Sequence, residues 1–184
     1  LESADLYGGV RIVFDQALAL KNLGYNVVIL AKTGNHSWYP RHLPIEYTKD
    51  FSSFFHNQKL DVVIATFWTT VVSAQKINAK ITLHLCQGYE GDIIEYKSII
   101  NDITQVYNLS IPKLTVSPWL SNYLSKIYPH QFKIFTIGQI VDTHFFYPTF
   151  YSFIKKIIRR LLNKPLKILV VGSFSSKIKG IEDA

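Results

Sequence analysis

The chain contains no methionine and a single cysteine among its 184 residues. Ordinary globular usage includes methionine, so its absence points to a chain trimmed at its ends or to methionine positions missing from the sequence. Cys86 lies in an apolar run with no second cysteine to pair with, which excludes an internal disulfide. That usage fits a reducing compartment, with the cytosol as the default. No run approaches the roughly 18 consecutive apolar residues of a membrane span, and no charged-then-apolar leader precedes the fold. Short-period repeats and low-complexity tracts are missing too. Both ends read as cut: Leu1 is not an initiator, and residues 180–184 form the first turn of a helix without its continuation. We therefore expect a piece of a larger protein.

The composition is 48% hydrophobic and 18% charged, that of a chain able to bury one substantial core. The net charge of +7 raises the question of nucleic acid. However, Lys155, Lys156, Arg159, Arg160, Lys164 and Lys167 supply six positives with no acid among them, and without them the net charge falls to +1. Basicity is thus one local patch, with no aromatic-and-basic stripe elsewhere, which argues against nucleic-acid binding.

In residues 9–23 Val10, Val13, Phe14, Ala17, Leu20 and Leu23 recur at helical spacing, with Gly24 where a helix would stop. Short β-type runs follow at 26–31, 61–65, 80–86, 114–117 and 132–137. Helical patterns occupy 69–78, 92–107 and 118–128. Strands alternating with helices imply parallel pairing and a doubly wound, Rossmann-like open sheet. After a basic helix at 150–163, Pro165 marks a break and 166–172 reads as a new first strand. We expect a domain over 1–148, a linker helix over 149–165, and the start of a second Rossmann-like domain over 166–184.

Gly8-Gly9 immediately before a helix lets backbone amides approach an anion at the positive end of the helix dipole, or else forms a plain tight turn. The run from Val171-Gly172-Ser173 to Lys177-Ile178-Lys179-Gly180 repeats the arrangement. Its alternative is a solvated lysine-rich loop.

Four stretches together resemble the group 1 glycosyltransferases, the retaining, family 4-like enzymes of the GT-B fold. Gly8-Gly9-Val10 through Leu23-Gly24-Tyr25-Asn26-Val27 is similar to the family's Gly-Gly loop, helix and following strand. Val116-Ser117-Pro118-Trp119-Leu120 resembles its Ser-Pro helix start, and Val141-Asp142-Thr143-His144-Phe145-Phe146-Tyr147-Pro148 its Asp-Thr-x-x-Phe-x-Pro segment. Residues 172–180 resemble its Gly-Arg to Lys-Gly loop. The resemblance covers nearly the whole chain and implies the N-terminal, acceptor-side domain of a hexosyltransferase, with the family's first strand absent and a gap left in the sheet.

What the resemblance implies is transfer of a sugar from a nucleotide-sugar diphosphate, bound as substrate with neither cofactor nor metal, to a glycan, polysaccharide or lipid-linked acceptor. Gly8, Gly9, Ser173 and Lys179 would hold the donor phosphates. Gln87, Gly88, Tyr89, Glu90 and Ser117 would line the acceptor cleft. Ser173 replaces the family's arginine, removing a bidentate phosphate partner for which Lys177 could substitute. Gln87 stands where the family commonly has histidine; its amide can hydrogen-bond a hydroxyl but cannot act as acid or base, so no catalytic residue is assigned. The Gln87-Gly88-Tyr89-Glu90 run resembles members acting on polysaccharide or rhamnose-containing chains. The chain by itself is expected to be inactive.

His84, three residues before Gln87, should point to the opposite face and pack. The six histidines and one cysteine show no metal-ligand spacing. Asp92 and Glu95 would open a helix and complement its dipole, or alternatively recognise the acceptor. On the helix at 150–163, Phe150, Phe153, Ile154, Ile157, Ile158, Leu161 and Leu162 occupy one half and the basic residues the other. Packing of the apolar half on the sheet is the preferred reading; peripheral contact with an anionic membrane is the alternative. The competing functions are a nucleotide-sugar epimerase of the same fold and a non-enzymatic basic membrane-surface module.

Overall fold

The computed structural model describes residues 1–55, 58–129, 131–141, 143 and 147–165. The chain divides into two compact units, Leu1–Ile140 and Val141–Ala184. Residues 142, 144–146 and 166–184 lie outside the described residues, and with them Asp142, Ser173, Lys177 and Lys179.

Helix α1 spans Gly8–Asn22. Its Val10, Phe14 and Ala17 bury against Ile29 and Ala31 of β1 (Ile29–Ala31), with Ala4, Tyr39 and Leu43 closing the cluster. The Phe14 ring stacks on Trp38 at 5.3 Å and meets Tyr39 edge-on at 5.1 Å. Burying such a ring contributes about 2–3 kcal/mol, which is what pins the helix. Leu23, expected on the apolar face, is 74% exposed, because the helix ends one residue earlier. Gly24, at φ +90°, supplies the left-handed turn there.

Strand β1 pairs in parallel with β2 (Ile45–Tyr47), a strand the sequence pattern did not announce, as it did not announce the single-turn helix α2 (Phe51–Phe54). Strands β3 (Leu60–Ala65), β4 (Ala79–Cys86), β5 (Lys113–Thr115) and β6 (Ile134–Thr136) form a second sheet, all parallel and in sequence order. Helices α3 (Trp68–Gln75), α4 (Ile100–Tyr107) and α5 (Pro118–Ile127) bury one face of it, around Ala65 and Cys86. The chain is thus α/β with a four-stranded parallel sheet flanked by helices, consistent with a Rossmann-like fold. On the opposite face Val62, Ile64, Ile81 and Phe135 are exposed.

Among the described residues no strand precedes α1, and β1-β2 forms a sheet separate from β3-β6; Ser3 makes only an isolated parallel bridge to Thr33, with the Ala4 amide donating to the Thr33 carbonyl at 2.9 Å. The Glu2 carboxylate accepts from the Thr69 hydroxyl on α3 and pairs with Lys32 at 3.0 Å. The continuous helix expected over 92–107 breaks at Ile93, which is extended (φ −76°, ψ 121°). Two 3-10 segments, Glu90–Asp92 and Ile94–Ile99, precede α4. Asp92 therefore lies in the first 3-10 segment and Glu95 in the first turn of the second, and neither opens an α-helix. In the second unit, α6 spans Phe150–Leu161, its amino end capped by Thr149, which accepts from the Ser152 amide at 3.2 Å.

Candidate functional site

Gln87 follows β4 at the carboxyl edge of the sheet, and Gly8-Gly9 opens α1. The Gln87 side-chain amide donates to the Gly9 carbonyl at 3.0 Å, joining residues 78 apart in the chain. A Cβ on Gly9 would sit 3.3 Å from Gln87 Oε1, close enough to push the carboxamide away by a few tenths of an ångström. Gly8 has open space around it, and no side chain caps the amino end of α1. An uncapped helix start beside a carboxamide is a neutral, donor-rich edge suited to oxygen-rich ligands.

Behind Gln87 the loop is held by tyrosines. The Tyr107 hydroxyl donates to Glu90 Oε2 at 2.5 Å and to the Gly88 carbonyl at 3.4 Å. Burial raises the Glu90 carboxyl above its ordinary range, and burial first, then neighbouring Cys86 and Glu90, pushes the Tyr107 phenol well above its own. The raised phenol keeps its own proton and donates it in a hydrogen bond to the carboxyl. The Tyr89 and Tyr128 hydroxyls meet at 2.7 Å, and the Tyr89 ring lies edge-on to Tyr107 at 5.0 Å. Gly91 is required here, since a Cβ would fall 2.3 Å from the Tyr89 ring.

Ser117 lies just beyond β5, on the strand next to β4. Its hydroxyl caps α5 by accepting from the Leu120 amide at 3.2 Å, with Pro118 in the first turn.

His84 is fully buried, and neither ring nitrogen has a hydrogen-bond partner. Burial first, and Lys113 second, push the imidazole down to about 3, so it is neutral. Lys113, its register partner on β5, is also buried. Its ammonium donates to the Leu109 and Ile111 carbonyls at 3.2 and 3.1 Å and sits 4.1 Å from the Phe132 ring centre. Burial lowers it to about 8. Cys86 is buried as well, with its thiol pushed up to about 12 by burial and then Glu90, which makes it a poor nucleophile.

The structure therefore brings Gly9 to Gln87, ties Gly88 and Glu90 to Tyr107, and puts Ser117 at the neighbouring strand end. Tyr107, Tyr128, Gly91 and Lys113 escaped sequence reasoning. Nothing in an isolated tyrosine at a helix end marks it as a loop anchor.

Among the described residues, no group of three or more His, Cys, Asp or Glu could hold a metal ion, and no helix is long and apolar enough to cross a membrane. No family model, curated protein or solved structure matches the chain.

Proposed function

We propose that the chain is the acceptor-side part of a retaining glycosyltransferase with the GT-B architecture, using a nucleotide-sugar diphosphate. The observation that carries this reading is the 3.0 Å hydrogen bond between Gln87 and Gly9, because it joins two motifs the resemblance had selected separately. On this reading the α1 amides at Gly8 and Gly9 receive diphosphate oxygens, and the Gln87 carboxamide meets a sugar hydroxyl. As the glycosidic bond to the diphosphate breaks, charge develops on the leaving phosphate, where oriented amides stabilise it without reorganising. The acceptor hydroxyl attacks from the same face, and its proton passes to the departing phosphate oxygen. Gln87 positions and does not transfer protons. The resemblance adds Ser173 and Lys179 as further phosphate contacts. It also proposes a glycan, polysaccharide or lipid-linked acceptor; the lone cysteine supports a cytoplasmic setting, with peripheral membrane contact through α6 as the alternative.

Titration of the 15N-labelled chain with UDP-, GDP- and dTDP-sugars tests the reading. Amide signals of Gly8, Gly9 and the Gln87 side chain should move together, and Gly9→Val should abolish the shifts while leaving the remaining spectrum in place. If no nucleotide sugar moves these three signals, the proposal is wrong.

A further inference from the structure

Trp119 occupies the second position of α5 and is 67% exposed. Its indole stacks on Tyr123, one helical turn later, at 5.3 Å with 9° between the planes. The i, i+4 spacing sets the two rings face to face. One indole face is therefore covered by a ring and the other is open to solvent.

The stack is anchored. The Tyr123 hydroxyl donates to Asp92 Oδ1 at 2.8 Å. The Tyr89 ring lies edge-on to Tyr123 at 6.0 Å. Through Tyr89 the stack joins the loop that carries Gln87. The placement follows from strand order: Cys86 and Thr115 are register partners, so the chain leaving β4 toward Gln87 and the chain leaving β5 toward Trp119 emerge side by side. Carboxyl strand ends are where open α/β sheets bind their ligands.

We propose that the open face of Trp119, backed by Tyr123 and flanked by the Asp92 carboxylate, is a stacking subsite for a pyranose ring. That this ring belongs to the sugar-accepting saccharide rests on the transferase reading above; the stacking site itself does not. A pyranose presents a face of polarised C–H bonds to the negative face of an indole and a rim of hydroxyls to a carboxylate. Asp92 is exposed, and its second oxygen accepts nothing from the described residues. The carboxylate repels a phosphate, which disfavours the nucleotide end of a donor. A quaternary ammonium suits several converging aromatic faces rather than one open face.

The chain has three tryptophans, Trp38, Trp68 and Trp119, so indole N–H signals resolve the question. The intact chain is titrated with methyl β-glucoside, methyl α-mannoside, methyl α-rhamnoside, N-acetylglucosamine, cellobiose and maltose. Tetramethylammonium chloride serves as the competing probe. At least one saccharide should move the Trp119 signal saturably in the millimolar range while Trp38 and Trp68 stay fixed. Trp119→Ala, read on the ring signals of the stacked Tyr123, should weaken that saccharide about tenfold, the scale of one aromatic contact. Asp92→Asn should weaken it less, and unmoved Trp38 and Trp68 signals report that both variants fold. The proposal is overturned if every saccharide leaves Trp119 unmoved, or if tetramethylammonium binds there more tightly than any sugar. Saccharide binding at Trp119 without nucleotide-sugar shifts at Gly9 and Gln87 would sink the transferase reading alone. The converse result would sink the subsite alone.

Discussion

Replacing His84 with leucine should stabilise the protein at pH 7.5 and stabilise it further at pH 5. In the native state the imidazole is pushed from its ordinary 6.5 down to about 3, by burial first and by Lys113 second. Because the native value is depressed, the unfolded chain takes up a proton below pH 6.5 that the native state refuses. The stability held above 6.5 is therefore lost as the pH falls toward 3. Each unit is worth about 1.4 kcal/mol, so the native protein forfeits on the order of 2 kcal/mol at pH 5 through this group alone. For a chain of this size that is a loss of roughly 4–8 °C in Tm. Leucine at this position has no proton to take up, and it removes two ring nitrogens that have no partner. Glu90, Tyr107, Cys86 and Lys113 are present in both proteins, so the difference between variant and parent reads His84 together with its coupling to Lys113. Thermal unfolding of both at pH 7.5, 6 and 5 is the assay. The reasoning is refuted if the two proteins lose stability in parallel over that range.

Tyr107→Phe removes the hydroxyl that Glu90 and the Gly88 carbonyl share, leaving a half-buried carboxyl without that donor. A destabilisation of about 1–3 kcal/mol in urea titrations is expected, with faster amide exchange in residues 88–91; unchanged exchange there would remove Tyr107 as the loop anchor. In α6 every apolar side chain from Phe150 to Leu161 is solvent-exposed or half-exposed, opposite a half that carries Lys155, Lys156, Arg159 and Arg160. The chain should co-sediment with phosphatidylglycerol vesicles and not with phosphatidylcholine ones, losing binding as salt rises. Equal behaviour on the two lipids rules out the membrane contact.

Legibility differed by element for physical reasons. Helix α1 was readable because Val10, Phe14 and Ala17 obey one period and Gly24 ends it. The start of α5 was readable because Ser117-Pro118 carries its own cap. Strand β2, by contrast, has one half-buried and two exposed residues, too short and too open for alternation to show. The helix expected over 92–107 was overcounted because its apolar residues keep helical spacing. Tyr89 folding back over Gly91 and the extended Ile93 interrupt it. His84 was expected to pack, and it is fully buried in β4.

Local pattern, then, determined by itself α1, α5, the main strands β3 to β6 and the parallel α/β arrangement, but not β2, α2 or the break at Ile93. It could do so because periodicity, caps and turns act over a handful of neighbouring residues. Tertiary structure alone decided that Gln87 reaches Gly9 and that Tyr107 holds Glu90. It alone left His84 neutral and unpaired beside Lys113, and set Trp119 on Tyr123 at the same edge. Those contacts depend on strand order and register, which bring together residues that no local spacing relates.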